Sequence, residues 1–353
     1  MSKRKRITSN GRRANAAPGA NDVIVGDCIE TMRQWPENCI DLVFADPPYN
    51  IGYKYDQYED KRDDHDYLEW TYGWIDCCTR LLKPGGSMYI LIGDEYAAEV
   101  RLHLKRLERD RQLALRNWII WHYTFGQNCR VKFNRSHAHL FYCVGAAVFD
   151  QPIKTKQSKL PFVYNRDAIA VPSARQTTYG DRRANPLGKQ PDDTWYLRPQ
   201  QVEEGGIERY FSPSEDTWYL SRLCGTFKER VGWHPCQLPE ALLERIIKVS
   251  SNQRQVVFDP FVGSGTTLAV AARLKRRWLG CELSADYAAR SLKRIQHVQR
   301  TGMTMETTLK QRGVDMNKPK KKREPVRSPH LHGPGSVDAA RDGAVPATPS
   351  TRS

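Results

Sequence analysis

Between Asp22 and Arg300, short apolar runs alternate with stretches of helical periodicity, and that order admits few folds. Asp22–Gly26, Ile40–Ala45, Ser87–Gly93, Trp118–Tyr123, His139–Val148, Val256–Phe258 and Trp278–Cys281 read as strands. Cys28–Trp35, Asp64–Leu82, Glu95–Arg109, Pro239–Ser251, Thr266–Lys275 and Ala285–Arg300 read as helices. Lys83-Pro84-Gly85-Gly86 predicts a stop after the second helix. The alternation predicts an α/β fold, a doubly wound and largely parallel sheet.

Composition sets the limits. The chain has 353 residues, enough for two domains or one large α/β domain carrying an insertion. No apolar run approaches the ~18 residues of a membrane span, so no membrane association is expected. Nine cysteines without a C-x-x-C pair predict free thiols in a reducing cytoplasm rather than a disulfide scaffold or a zinc site. The net charge of +15 points toward a polyanionic partner. Much of it lies in tails read as disordered, a basic arm over residues 1–20 and a basic, low-complexity tail over 306–353. Residues 150–233 break the alternation, and an insertion this long predicts a recognition region. From Asp150 to Gln200 it carries nine Lys or Arg against five Asp or Glu, which suits a phosphate backbone. Asp-Thr-Trp-Tyr-Leu occurs twice in it, at Asp193–Leu197 and Asp216–Leu220, through duplication or through chance likeness between two β segments.

Two motifs carry chemistry. Asp46-Pro47-Pro48-Tyr49-Asn50 follows the strand Ile40–Ala45 directly, at the edge where α/β sheets bind ligands. A nucleobase amine is a poor nucleophile because its lone pair is conjugated into the ring. The Asp46 carboxylate and the Pro47 carbonyl, accepting its two N–H bonds, would draw that lone pair out of conjugation. Prolines 47 and 48 preorganise the acceptors, and Tyr49 offers a face on which an extruded base stacks. The second motif, Val256–Thr267, runs from a strand through Gly263 and Gly265 into a helix. Glu282 ends the next strand, where an acid can bind ribose hydroxyls. With neither a P-loop lysine nor a third fingerprint glycine, a nucleoside without pyrophosphate fits this turn better than ATP or NAD.

Here the chain resembles the β group of amino-methylating DNA methyltransferases, which use S-adenosyl-L-methionine. The resemblance covers roughly residues 22–300. It rests on Gly26-Asp27-Cys28, on Asp46–Asn50, on Leu82–Gly86, on His234-Pro235-Cys236-Gln237-Leu238-Pro239-Glu240, on Asp259–Thr267 and on Glu282. It implies a methyltransferase sheet formed by residues 21–149 and 234–305, with the target-recognition insertion 150–233 between its halves. The implied catalytic residues are Asp46, Pro47, Pro48 and Tyr49. The implied cofactor contacts are Asp27, His234, Asp259, Phe261, Gly263, Gly265, Thr266 and Glu282, without a metal. Leu238 departs from the lysine common there, and His137-Ala138-His139 from a His-Glu pair. Asp at the head of the catalytic loop favours adenine N6, with cytosine N4 and RNA as alternatives. The expected partner is double-stranded DNA, with a cognate restriction endonuclease as a possible second; monomer and homodimer both fit, in the cytoplasm at the nucleoid. Pro235-Cys236-Gln237 is also the tripeptide of 5-methylcytosine enzymes, but it precedes the Gly-rich loop here, and no Glu-Asn-Val follows. The rival readings are a DNA-binding protein with an inactive pocket and an NAD-dependent oxidoreductase.

Overall fold

The strand Ile40–Ala45 is buried at all six positions, as a central strand covered on both faces must be. In the computed structural model the chain is described over residues 19–123, 130–131, 133, 135–151, 153, 159–171, 173–177, 179–195, 202–204, 207–209, 231–234 and 236–303. Residues 1–18 and 304–353, the second Asp-Thr-Trp-Tyr-Leu copy and Pro235 lie outside these.

In chain order the elements are β1 (Asp22–Val25), α1 (Cys28–Arg33), β2 (Ile40–Ala45), α2 (Asp64–Leu81), β3 (Leu82–Ile92), α3 (Ala97–Arg109), β4 (Leu113–His122), β5 (His137–Gly145), α4 (Ala147–Asp150), α5 (Ala174–Thr177), β6 (Thr194–Trp195), β7 (Val202–Glu204), β8 (Ile207–Arg209), α6 (Glu240–Ser250), β9 (Val256–Asp259), α7 (Thr266–Arg273), β10 (Arg277–Glu282) and α8 (Ala285–Thr301). One sheet orders eight strands as β1-β10-β9-β2-β3-β5-β4-β6. It is parallel from β1 to β3 and antiparallel where β5 pairs with β3 and β4. The sequence carries no helical crossover pattern between β4 and β5, and a parallel pair would need one. The sheet is the doubly wound, Rossmann-like type expected.

Helices cover both faces. Met32, Trp74, Ile75, Cys78, Val100 and Leu104 of α1, α2 and α3 join Val43, Ala45, Met88 and Ile90 in one core. Leu242, Ile246, Leu268 and Ile295 of α6, α7 and α8 join Leu42, Phe44 and Leu91 in the other. Each fully buried Leu, Ile, Val, Phe or Met among them stabilises the fold by about 1.5–3 kcal/mol over its exposed state. From β2 the chain passes through α2 to β3 on one side; from β9 it passes through α7 to β10 on the other. The carboxyl ends of β2 and β9, paired at Leu42–Val257 and Val43–Phe258, therefore border the switch-point crevice.

Three boundaries differ most from expectation. The strand expected over His139–Val148 spans His137–Gly145, and Ala147–Asp150 is the short helix α4. Helix α2 stops at Leu81, but Lys83–Gly86 is already strand rather than a connecting turn. Its glycine serves close approach: a Cβ on Gly86 would lie 2.8 Å from the Asp41 carbonyl oxygen. Strand β4 begins at Leu113, well before Trp118, because a register shift between Leu115 and Asn117 interrupts the alternation that marks a strand.

Part of the 150–233 stretch packs on the sheet. Phe162 and Tyr164 pack against the core beneath α6, and Asn165 Nδ2 donates to the carbonyls of Lys248 and Ser251 at 2.9 and 3.0 Å. Thr194 and Trp195 pair with Ile120 and Trp121 as the outermost strand. Among the described residues no helix is long and apolar enough to cross a membrane.

Candidate active site

Strand β2 runs into Asp46 and the two prolines, which cannot donate to a ladder and end the pairing there. Tyr49 Oη donates to Asp46 Oδ1 at 2.8 Å. Burial, reinforced by the Asp46 charge, holds the Tyr49 hydroxyl well above its ordinary pKa, so it stays a donor. From α2, Tyr67 Oη donates to the Pro48 carbonyl at 2.7 Å and fixes the back of the loop.

Strand β9 ends in Asp259, whose Oδ1 accepts from Phe261 N at 2.9 Å. Burial pushes the Asp259 carboxyl up to about 7; hydrogen bonds from Thr267 and Phe261 oppose the rise, and the Asp46 and Glu282 charges add to it. Gly263 and Gly265 take φ of 48° and 76°, the left-handed region that favours glycine. A Cβ on Gly263 would lie 2.9 Å from His234 Nε2. Three groups pin the turn. Gly263 N donates to Glu282 Oε2 at 2.7 Å, Ser291 Oγ to the Gly263 carbonyl at 2.6 Å, and Arg294 Nη1 to the Ser264 carbonyl at 3.0 Å. Arg294 also reaches Glu240 Oε1 at 2.6 Å, which ties α6 and α8 to the turn between them.

Glu282 Oε1 accepts from Ser284 N at 2.9 Å, and burial raises its carboxyl. His234 Nδ1 donates to the Cys236 carbonyl at 3.0 Å, and burial lowers the imidazole to about 4, so it is neutral at pH 7. Asp27 caps α1, accepting from Glu30 N at 2.9 Å.

These groups surround one cavity of about 670 Å³. Asp27, Asp46, Pro47, Pro48, Tyr49, His234, Asp259, Phe261, Gly263, Thr266 and Glu282 all line it. Gly265 does not: it opens α7 with its back to Ser291, where a Cβ would come within 2.9 Å of the serine Cβ. Sequence reasoning missed a further wall, the segment carrying Tyr53, Tyr55, Asp56 and Tyr58. Asp56 Oδ2 accepts from Ser284 Oγ at 2.5 Å, and Tyr55 Oη lies 3.7 Å from Cys236 Sγ. A run of tyrosines and acids right after the Asp46–Asn50 loop was the available signal. Opposite lie Glu95, Trp121, Tyr123, Arg135 and His137, with Arg135 ion-paired to Asp94 at 2.7 Å and to Glu95.

His137 and His139 share a strand face with ring centroids 5.0 Å apart, and Trp118 Nε1 donates to His139 Nδ1 at 2.9 Å. Among the described residues no three His, Cys, Asp or Glu side chains gather as a metal site. Asp27, Asp46, Asp56 and Glu282 give the cavity a predominantly acidic floor against the cations Arg62 and Arg135, while Asp259 holds its proton up to about 7. Such a wall favours a polar or cationic ligand over a polyphosphate.

The profile of the N6/N4 DNA methylase family matches residues 40–293, from β2 into α8. The chain belongs to that family. This DNA methylase is 31% identical to the type II methyltransferase M.HpaI of Haemophilus parainfluenzae, over 77% of this chain and 73% of that protein. It is 31% identical to the DNA adenine methyltransferase YhdJ of Escherichia coli, over 78% and 83%. It is 32% identical to the type II methyltransferase M.BamHI of Bacillus amyloliquefaciens over 73% of this chain, which spans about half (53%) of that relative. The matched region contains both motifs around the cavity, the loop after β2 and the turn after β9.

Proposed function

We propose that this DNA methylase transfers a methyl group from S-adenosyl-L-methionine to an exocyclic amine of a base flipped out of double-stranded DNA, adenine N6 before cytosine N4. The observation that carries the reading is that Asp46 and Tyr49 open into the same cavity as the Gly263 turn and Glu282.

The residues present fit the cofactor. At Gly263 the space a Cβ would take is filled by His234, so that contact and the left-handed φ both require glycine, and the turn it makes lines the cavity. Glu282 is a buried carboxylate suited to ribose hydroxyls, and Asp27 and Phe261 line the same end. The acidic floor favours a cationic sulfonium. When bound, S-adenosylmethionine supplies an activated methyl group, and the protein's part is positioning and electrostatics.

Asp46 accepts an N–H of the target amine and takes the proton the nitrogen sheds after transfer. Because Tyr49 Oη holds Asp46 Oδ1, the amine is received at the other oxygen or in exchange for the tyrosine. Tyr49 and the aromatic wall supply stacking surface for an extruded base. Residues 150–233 are assigned to reading sequence, between a catalytic half at 21–149 and a cofactor half at 234–305. Asp46 at the loop head and the relative named as an adenine enzyme favour adenine. The relatives named as type II methyltransferases favour a site-specific role beside a restriction endonuclease.

The test is to incubate the protein with S-adenosylmethionine and unmethylated genomic DNA and to measure nucleosides by mass spectrometry. N6-methyladenine, lost in Asp46→Ala, is expected. N4-methylcytosine would overturn the base, and the absence of any methylated nucleoside would overturn the reading.

A further inference from the structure

The segment from Asn50 to Arg62 joins the catalytic loop to α2, and one buried carboxylate organises it. Asp60 is 3% exposed. Its Oδ1 accepts from Asn50 N at 2.7 Å, and its Oδ2 from Ile51 N at 3.3 Å and Tyr53 N at 2.8 Å. Its own carbonyl accepts from Gly52 N at 2.5 Å. Four consecutive amides, starting one residue after Tyr49, thus converge on a single residue ten positions along the chain.

That convergence holds a conformation the backbone would otherwise avoid. Asn50 sits at φ 59°, in the left-handed region, and Gly52 at φ 77°. The Asn50 side chain continues the closure. Its Oδ1 accepts from Arg62 N at 2.6 Å, and its Nδ2 donates to the Arg62 carbonyl at 3.0 Å and to Tyr96 Oη at 2.8 Å. Tyr96 Oη in turn donates to Asp64 Oδ1 at 2.7 Å, at the start of α2. The loop behind Tyr49 is therefore locked to α2 and α3, and its anchor touches no part of the reacting pair.

We infer that Asp60 is a positioning residue for methyl transfer, one that sets the direction in which Tyr49 and Asp46 enter the cavity by gathering the amides of residues 50–53. The inference rests on the proposed function of the same site. A carboxylate is required because it offers acceptors on both oxygens without a donor of its own. Three charge-assisted hydrogen bonds to one buried acceptor also define an orientation more narrowly than packing alone.

Asp60→Asn separates that role from space-filling, since the amide keeps the volume but turns an NH2 group toward an amide N–H. Kinetics are run with S-adenosylmethionine and DNA beside hydrogen–deuterium exchange of the free protein. The variant is expected to lose about a hundredfold in kcat, the cost of displacing a reacting group by roughly 1 Å, while KM for the cofactor stays within about twofold. Amides 50–53 are expected to exchange faster, with those of β9 and α7 unchanged. Unchanged kcat, or equal losses in kcat and cofactor affinity, would overturn the positioning role, as would unchanged exchange at 50–53. Should the wild type methylate nothing, the proposed function fails by itself, and the exchange measurement still decides whether Asp60 holds the loop.

Discussion

Asp259→Asn tests the electrostatics of the cavity floor. An aspartate carboxyl ordinarily titrates near ~3.9, and at this site burial pushes it up to about 7. Between those values the folded chain keeps a proton that the unfolded chain has released. The stabilising contribution is complete below the unfolded value and is lost as pH rises through the folded one. Three pH units at about 1.4 kcal/mol each make that loss roughly 4 kcal/mol. His234 works in the opposite sense. Burial lowers it to about 4, so the folded imidazole stays neutral while the unfolded one protonates below ~6.5, and stability falls as pH drops. The two slopes oppose each other through the mildly acidic range, and the wild-type profile alone reveals neither. The difference between variant and wild type isolates Asp259. Asparagine cannot ionise, yet it keeps an oxygen for Phe261 N. In urea unfolding without ligand, the stability of Asp259→Asn relative to wild type is expected to rise by about 3 kcal/mol between about pH 5 and pH 8. Parallel pH profiles would refute the reasoning, for they would mean that the carboxyl ionises as easily in the fold as in water.

Three further substitutions, at Gly263 and Tyr49, address two walls of the cavity. Gly263→Ala places a methyl group 2.9 Å from His234 Nε2 at a left-handed φ; urea unfolding is expected to show the variant less stable by about 1–2 kcal/mol or more, from backbone strain plus the clash, and unchanged stability would refute that. Tyr49→Phe keeps the ring and removes the bond to Asp46, so kcat should change by less than about tenfold, as for the loss of one hydrogen bond of ordinary strength. Tyr49→Ala removes the stacking face and is expected to cost about 1–3 kcal/mol, read as a drop in kcat/KM for DNA; equal effects of the two variants would mean that the hydroxyl, not the ring, is what matters.

The features legible in the sequence are those whose physics is local in the chain. A run apolar but for Asp41, ending just before Asp46 and two prolines, announces β2 and the loop that follows it. Glycines between a strand and a helix announce the turn at Gly263, because only a residue without Cβ tolerates both its φ and its neighbour. The structure pairs β2 with β9, and the two motifs meet there because ligands bind where strand order reverses. Gly265 shows the limit of motif reading: the same pattern that marks Gly263 marks it too, yet it faces Ser291 rather than the cavity.

What stayed hidden are the groups that act through partners far along the chain. Arg294 sits in a helix whose sequence reads as an ordinary charged face, and only the fold brings it to Ser264 and Glu240. Asp60 is hidden for a different reason. Its partners are backbone amides, which every residue but proline possesses, so no side-chain pattern at 50–53 announces them. A loop closed on its own main chain leaves one trace in the sequence, an acid at the right distance, and acids are common on any surface. Here burial is the deciding observation. A carboxylate withdrawn from water must be met by donors, and the donors that meet Asp60 are the amides that follow Tyr49.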